Sequence, residues 1–570
     1  MKTNRWVTFA TLFLFLALPF VCFAAPTEGS KQLLDFIIPV TWGNWLAAIF
    51  PLILLLILLV KYRWGAAEAG ALAWIFVALI SVFVFRTPME TLALSTVKGV
   101  WSAIFSILIV VWPAILIYAV TNEAGAFEPF RKGIERITPN RLLQIMAFSW
   151  GFAGFLQGVT GFGVPVAIAA PLLVGIGVRP LAAVIIVLIG HAWNNTFGTL
   201  AVAWLALKEV TQIGPADAAI TAFYAGIFIW LFNIVAGLTI CWLYGRMKGI
   251  REGLPAVIII SLLQGGGTLV LGQWNDNLNG FIAGVLGFLV VFALGRTHWY
   301  NKPSSIPPEE SPVLMPETDV KIQSVSGKKE MGFHLAFSPY YILLALTLGV
   351  GLIQPLKSFL GQWKWSLYFP ATTTGFGFTS AEALAYGAFR PLSHGATFLF
   401  LSAVIGYIIF NAKGYVKPGG LGRILHSTIE KCIPATIAMV SLVCLSVLMR
   451  ETGSVNVLAY GVGNATGDYY AFMSPFVGVL GAFMTGSNTA ANILFSTFQQ
   501  TAAEVIGGNP ATLLAAQTAG AAAGNTIAPG NVLLGTTTVG ILGSEGDVLR
   551  VTMVVALGLA AVIGLAVLLI

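Results

Sequence analysis

Long uninterrupted apolar runs constrain this 570-residue chain more than any other feature of its sequence. Runs of about twenty residues match the length that an α-helix needs to cross a bilayer. They lack the apolar–polar alternation of a membrane β-barrel strand. Only 9% of the residues are charged, against about 25% in an average globular protein, which is too few to cover a soluble surface of this size. The sequence therefore predicts an all-α polytopic membrane protein embedded in a lipid bilayer.

We expect about twelve transmembrane helices from these runs. They lie at 44–61, 66–85, 102–122, 181–207, 218–244, 255–272, 279–295, 337–355, 392–412, 432–450, 512–540 and 550–570. Two further apolar segments, 142–178 and 471–506, carry Gly, Pro and polar residues at their centres, which predicts re-entrant hairpins. Most Lys and Arg residues fall in loops that this map places in the cytoplasm, as the positive-inside rule requires.

The N-terminus has the order of a secretory signal peptide. Lys2 and Arg5 precede an apolar stretch, and small residues follow at Ala24 and Ala25. This order predicts a signal peptide over residues 1–24. The alternative is an uncleaved membrane anchor.

The chain divides into two halves of similar layout. The polar, Pro-rich residues 296–335 predict a disordered cytoplasmic linker between a first transmembrane half at 42–295 and a second half at 336–570. Each half contains one hairpin followed by one interrupted span. The first hairpin is expected to enter from the inside and the second from the outside, which is the inverted repeat of many secondary transporters.

Corresponding breaks in both halves predict a binding site. A hairpin tip frees backbone N–H groups at helix N-termini, which favour a carboxylate, and freed carbonyls suit a cation. Neutral hydroxyls and amides add further donors. The candidate substrate-binding residues are Gln157, Thr160, Gly161, Gly163, Asn194, Asn195, Thr196, Ser487, Asn488, Thr489, Asn492, Asn525 and Thr526. For a single Gly the alternative role is helix packing, and for a single Ser or Thr it is bonding to its own helix.

Two ionisable residues are candidates for proton coupling. His191 lies within a span, where it would relay a proton or simply bond a neighbouring carbonyl. Glu382 lies in a Gly- and Thr-rich stretch between spans, as a cavity carboxylate or an outer-loop charge. Arg450 and Glu451 end a span and are interpreted as an interfacial pair. No metal-ligand cluster, cofactor motif, nucleotide loop or basic face is present in the sequence, so an enzyme and a nucleic-acid partner are both disfavoured.

The hairpins resemble the bacterial L-lactate permease family. The matching motifs are GFLQGVTGFGVPVAI at 154–168, LGAFMTGSNTAAN at 480–492 and VGILGSEGDVLR at 539–550, with EALAY at 382–386 also similar. Hairpin order and spacing agree over about residues 40–570. The resemblance implies a transporter of the bacterial inner membrane that imports lactate or glycolate with protons.

Two residues depart from the family pattern. Gln157 stands where the family form has Glu, and Asn488 stands where it has Asp. Amides of this shape hydrogen-bond but do not carry a proton near neutral pH. We therefore expect symport of a small monocarboxylate with a coupling cation, protons first and Na⁺ second. The alternatives are a carrier of another organic or inorganic anion, and a receptor that binds such an anion without moving it; the oligomeric state is left open.

Overall fold

The computed structural model describes residues 38–136, 138–161, 163–316 and 331–570, so the predicted signal peptide lies outside the described residues. The α-helices of the first half are α1 Trp42–Leu56, α2 Ala66–Phe83, α3 Met89–Ser102, α4 Ile109–Glu123, α5 Phe127–Glu135, α6 Arg141–Met146, α7 Ala153–Val159, α8 Val164–Gly175, α9 Pro180–Ala192, α10 Gly198–Thr211, α11 Pro215–Ser261, α12 Gly267–Trp274 and α13 Asn279–Leu294. Those of the second half are α14 Phe333–Ala336, α15 Ser338–Leu352, α16 Gln354–Leu360, α17 Gly395–Ala412, α18 Gly420–Glu451, α19 Ser454–Thr466, α20 Tyr470–Thr485, α21 Asn488–Ile506, α22 Pro510–Gly524, α23 Pro529–Thr538 and α24 Glu545–Leu569.

Short π and 3₁₀ turns join several of these helices. The π-helical turns are Ile57–Lys61, Ala103–Leu108, Ala147–Phe152 and Leu262–Gly266, and the 3₁₀ turns are Trp193–Asn195, Pro308–Glu310, Gly467–Tyr469 and Asn525–Ile527. Because π-turns insert an extra residue into the helical ladder, they often mark functional positions. One of them continues directly into α7, in the first predicted hairpin.

The helices confirm a polytopic all-α membrane protein. Among the described residues, eight helices are long and apolar enough to cross a membrane, or up to ten if each of two bent pairs is one span. The predicted number of twelve is not confirmed. The shortfall includes α13, which is apolar but too short, and α22 with α23, which are rich in Ala, Gly and Thr.

Both halves follow the same order of elements around their breaks. The first hairpin, 141–175, is followed by the first broken span, 180–211, whose two parts are bent by 53°. The second hairpin, 470–506, is followed by the second broken span, 510–538. The hairpins thus occupy the two segments where Gly, Pro and polar residues interrupt an apolar run. Their re-entrant course and the inverted orientation remain predictions.

The second hairpin packs on the second broken span through glycines. A Cβ atom on Gly520 of α22 would collide with the carbonyl oxygen of Pro475 on α20, and one on Gly478 would collide with that of Gln517. Small residues let two helix backbones approach this closely inside a membrane. The second hairpin and the second broken span therefore behave as one packed unit.

The beginning of the predicted disordered linker differs from the prediction. Tyr300, Ile306 and Leu314 are buried, and the backbone N–H of Arg179 donates to the carbonyl of Val313 at 2.8 Å. Apolar side chains between the prolines of 296–316 pack against the first half. Their burial offsets the conformational entropy lost when the segment becomes ordered. Residues 317–330 of that linker lie outside the described part of the chain.

Two small antiparallel sheets also depart from the all-α expectation. Strands β1 Trp365–Phe369 and β4 Ala383–Phe389 pair with each other, and β2 Thr372–Thr373 pairs with β3 Thr379–Ser380. Their aromatic and Thr side chains suit a pleated surface better than a helix. The indole of Trp101 donates to the carbonyl of Gly387 at 3.0 Å, which fixes β4 against the end of α3.

Candidate functional site

A polar cavity of about 270 Å³ lies where the two hairpins and the two broken spans meet. Its lining residues are Gln157, Gly163, His191, Asn195, Gly198, Thr199, Val202, Ala203, Ala435, Met439, Thr485, Gly486, Ser487, Asn488, Thr489, Asn525 and Asn531. Pockets for drug-sized ligands occupy about 300–1,000 Å³, so this one suits a smaller molecule. Within the described residues, no Lys, Arg, Asp or Glu lines it.

The first hairpin reaches the cavity through a glycine turn. Gly163 precedes α8 with a φ of +78°, a left-handed conformation that costs glycine little and other residues much more. Pro165 then occupies the first turn of α8. Backbone N–H groups in a first turn have no partner within the helix, so the missing N–H of Pro costs no hydrogen bond there. Because Gly163 lines the cavity, α8 begins at the site with its N-terminal end.

The second hairpin turns at Gly486, which has a φ of +73° and closes α20. Ser487 caps α21, and its Oγ accepts a hydrogen bond from the backbone N–H of Ala490 at 3.3 Å. Among the described residues, the Ser487 hydroxyl has no acceptor, so its hydrogen is available to a ligand. Asn488 and Thr489 follow in the first turn of α21 and also line the cavity. The tip therefore presents hydroxyls, an amide and a helix N-terminus to the same space.

The first broken span contains an uncommon left-handed turn. Thr199, Leu200 and Ala201 have φ values of +52°, +50° and +64°, which in L-residues costs roughly 1–2 kcal/mol each. The turn follows Gly198 at the cavity wall and orients Thr199 into it. Backbone strain of this kind persists where the surrounding structure enforces it, and it concentrates at functional sites.

Glycine at the left-handed turn is expected to relieve this strain. Ala201→Gly loses one buried methyl group but gains a residue suited to positive φ. Ala206→Gly is the matched control, because Ala206 is equally buried in the right-handed part of α10, where glycine is destabilising. We expect Ala201→Gly to be more stable than Ala206→Gly by about 2–3 kcal/mol in the free energy of unfolding. The melting temperatures of the purified variants measure this difference. Equal stabilities would contradict the left-handed conformation.

His191 is the ionisable residue of the cavity wall. It is 2% exposed, and its Nδ1 lies 2.6 Å from the carbonyl oxygen of Val187. A carbonyl oxygen only accepts, so Nδ1 carries the hydrogen and Nε2 keeps its lone pair. The imidazole is thereby held with a basic nitrogen available for a proton.

The structure brings together eight of the predicted site residues and excludes seven. The eight at the cavity are Gln157, Gly163, His191, Asn195, Ser487, Asn488, Thr489 and Asn525. The seven that do not line it are Thr160, Gly161, Asn194, Thr196, Glu382, Asn492 and Thr526.

Most of the excluded residues support the site instead. The hydroxyl of Thr160 donates to the carbonyl of Leu156 within its own helix, at 2.9 Å. Asn194 donates to the carbonyls of Gly154 and Gly280, both at 2.9 Å, and so joins α7 to α13. These hydrogen bonds use the donor groups of both side chains, so neither residue has a donor left for a ligand.

Thr196 and Asn492 join different elements behind the cavity. The Oγ1 of Thr196 lies 3.1 Å from that of Thr518, so the two broken spans touch at this point. Asn492 donates to the same Thr518 hydroxyl at 2.9 Å and to the carbonyl of Ala203 at 3.0 Å. Thr526 bonds within its own turn, to the carbonyl of Ala523 at 2.7 Å.

Glu382 corrects the expectation of a second proton-coupling residue. It lies between β3 and β4 with an exposed side chain, and it does not line the cavity. The two small sheets form a folded unit in what looked like an irregular stretch. Glu382 lies in the exposed turn of this unit, outside the cavity lining.

Several cavity residues were not anticipated from the sequence. Ala435 and Met439 belong to α18, where nothing distinguishes them from ordinary apolar helix residues. Thr199 was not predicted as a site residue, because the good helix formers that follow it give no sign of a break in the helix. Asn531 had a usable signal, since a polar amide so soon after the break at Asn525–Ile527 is unexpected in an apolar span.

A buried cluster of charges lies at the far end of α10. Lys98 contacts Glu451 at 2.6 Å with both side chains nearly inaccessible, and Arg450 contacts the same carboxylate at 2.8 Å. The Arg450 guanidinium also donates to the carbonyl of Val210 at 2.5 Å. Arg450 thus caps the C-terminus of α10. The expected interfacial pair belongs to a charge cluster in which Lys98 and Glu451 are buried and Arg450 is partly exposed.

Comparison with known proteins agrees with this architecture. The L-lactate permease family matches residues 44–570. Glycolate permease GlcA of Escherichia coli K12 is 29% identical over 91% of this chain and 94% of its own length. The L-lactate permease of the same strain is 26% identical over 92% of this chain and 95% of its own, and that of Bacillus subtilis 168 is 26% identical over 89% and 92%.

These relatives, together with the apolar helices, identify a multi-pass membrane protein, consistent with the predicted bacterial inner membrane. A permease moves its substrate rather than transforming it, so the chain is a transporter and not an enzyme. The match spans nearly all of the chain, including both hairpins and both broken spans. The chain belongs to the L-lactate permease family.

Proposed function

We propose that this protein imports a small monocarboxylate, lactate or glycolate, by proton symport. The observation that carries the proposal is a small cavity lined by amides, hydroxyls and one imidazole, at the junction of both hairpins. Neutral donors bind a carboxylate through hydrogen bonds that are weaker than those of a fixed cation, which allows the substrate to be released. The names of the related permeases support lactate and glycolate as the first substrates to test.

His191 is the proposed proton carrier. Its Nε2 is unprotonated in the neutral tautomer set by Val187, and protonation there places a positive charge beside the bound anion. The loaded site is then neutral overall, which lowers the cost of moving it through a low-dielectric environment. Gln157 and Asn488 line the same cavity but carry no proton.

Na⁺-coupled transport is the second candidate. The Oδ1 atoms of Asn488 and Asn492, one turn apart on α21, are buried without a hydrogen-bond partner in the described part of the chain. Unpaired carbonyl oxygens are suitable ligands for Na⁺ in transporters. This observation supports a metal cation as the alternative to protons, and Na⁺ is the first one to test.

Uptake into proteoliposomes tests the function. Labelled L-lactate and glycolate would be compared with succinate, a dicarboxylate, while pH and Na⁺ gradients are varied separately at a fixed membrane potential. We expect lactate or glycolate to accumulate when the outside is more acidic and to ignore the Na⁺ gradient. Accumulation that follows Na⁺ at constant pH would support the second candidate. Binding without accumulation would identify a receptor.

A further inference from the structure

Asn525 presents a hydrogen-bond donor to the cavity in a fixed orientation. Its side chain is 8% exposed and lines the cavity at the break of the second broken span. The Oδ1 of Asn525 accepts a hydrogen bond from the Nδ2 of Asn531 at 2.6 Å. Among the described residues, the Nδ2 of Asn525 has no partner. An amide with its oxygen occupied and its nitrogen available donates to a ligand and does not accept from it.

Asn531 determines this orientation. Its Nδ2 also lies 3.3 Å from the backbone carbonyl oxygen of Asn525, so both acceptors hold the same nitrogen. If the Asn525 amide rotated by 180°, its NH₂ group would face the NH₂ group of Asn531, and two donors would oppose each other. The Asn531 amide cannot reverse without turning its oxygen toward the backbone carbonyl. The pair therefore permits one arrangement.

Asn195 shows the opposite arrangement at the corresponding break of the first broken span. Its Nδ2 points to the carbonyl of Ala522 at 3.5 Å, which leaves Oδ1 as the group that remains to accept a bond. A 2-hydroxy acid has a carboxylate that accepts and a hydroxyl that donates. The two asparagines thus offer complementary groups to the two ends of such a substrate.

We propose that Asn531 is a positioning residue that fixes the Asn525 amide as a donor to the substrate carboxylate. The proposal rests on the proposed function, because it takes the substrate to be a small carboxylate. It adds a residue that makes the site selective for an acceptor at this position. Asn531 also lines the cavity, but its Nδ2 is committed to the two oxygens of Asn525, so its proposed role is to orient Asn525.

A double-mutant cycle tests this role. The variants are Asn525→Leu, Asn531→Leu and the double variant, because Leu has the branched shape of Asn without its polar atoms. KM and maximal rate are measured for L-lactate uptake in proteoliposomes. Asn525→Leu should raise KM by about 10- to 150-fold, the cost of losing a hydrogen bond to a charged ligand. Asn531→Leu should raise KM by less, with the maximal rate preserved. The double variant should be no worse than Asn525→Leu alone, because Asn531 has nothing left to orient.

Asn195→Leu provides the control pair. Its combination with Asn531→Leu should give additive losses, since no hydrogen bond joins Asn531 to Asn195 in the part of the chain that the structure describes. If the wild type takes up lactate but the losses from Asn525→Leu and Asn531→Leu are additive, the proposed role of Asn531 is wrong and the proposed function still stands. A wild type that takes up neither lactate nor glycolate would overturn the proposed function. Membrane abundance and size-exclusion profiles of each variant separate these results from misfolding.

Discussion

Replacing His191 with Gln is expected to abolish accumulation driven by a pH gradient while leaving exchange of substrate at equal concentrations. A gradient of one pH unit corresponds to about 1.4 kcal/mol, so one-to-one symport accumulates substrate up to about tenfold per unit. Gln hydrogen-bonds but does not take up the proton. The variant should therefore equilibrate its substrate without concentrating it. Exchange moves only the loaded carrier and does not require return of the empty, deprotonated site. Because the variant leaves the charge of the bound anion uncompensated, its exchange should be slower than that of the wild type.

Glu382→Gln is the matched control for this experiment. Glu382 is exposed and does not line the cavity, so its loss should leave both accumulation and exchange near wild-type levels. Labelled lactate uptake at an imposed pH gradient, followed by counterflow at equal concentrations, distinguishes the two activities. Normal accumulation by His191→Gln would remove the imidazole from the coupling mechanism. Proton coupling would then belong to another group, whereas accumulation that follows Na⁺ at constant pH would support the second candidate.

The charge-neutralising change Glu451→Gln is expected to cost much more stability than the loss of an exposed ion pair. It removes the carboxylate that contacts both Lys98 and Arg450, so the buried Lys98 ammonium loses its ion-pair partner. Breaking a buried pair by removing one partner typically costs about 3–5 kcal/mol. Thermal unfolding of the purified protein in detergent should register this as a large fall in melting temperature.

Two further variants define the origin of that loss. Adding Lys98→Met to Glu451→Gln removes one of the uncompensated charges and should restore part of the stability. Glu123→Gln breaks the partly exposed pair with Arg423 and should change stability by only about 0–1 kcal/mol. If Glu451→Gln were no more destabilising than Glu123→Gln, the buried charge cluster would not be a structural element.

The breaks were the most predictable part of the site. Gly, Pro and polar residues at the centre of an apolar run are costly unless the backbone is buried in protein or lines a wet cavity. The hairpin tip at Ser487 and the break at Asn195 are of this kind, and both line the cavity. Which donor of each break faces the ligand was not predictable. Thr160 and Thr526 turn back onto their own helices, a choice made by local geometry that residue type does not reveal.

The unpredicted features share a physical cause. Leu200 and Ala201 are good helix formers in a left-handed turn, so tertiary packing overrides their preference. Ala435 and Met439 meet the cavity only because α18 packs on the hairpins, a contact between elements far apart in the chain. The ordered start of the linker and the small sheets likewise depend on partners that are remote in sequence. Apolar periodicity predicts elements, whereas such contacts require the assembled fold.

The wall contributed by α18 has a mechanical consequence. All polar groups of the cavity come from the hairpins and broken spans, and α18 adds only the apolar side chains of Ala435 and Met439. Sliding α18 past the cavity would thus break no hydrogen bond there, and a flexible thioether tolerates a change of neighbours. In the part of the chain that the structure describes, α18 is hydrogen-bonded to the hairpins and broken spans only through Arg450, which donates to carbonyls at the end of α10. Resistance to motion of α18 relative to the hairpins and broken spans is therefore concentrated at the Arg450 end of the helix. The cavity end of α18 is free of such restraints and is the end expected to shift during transport.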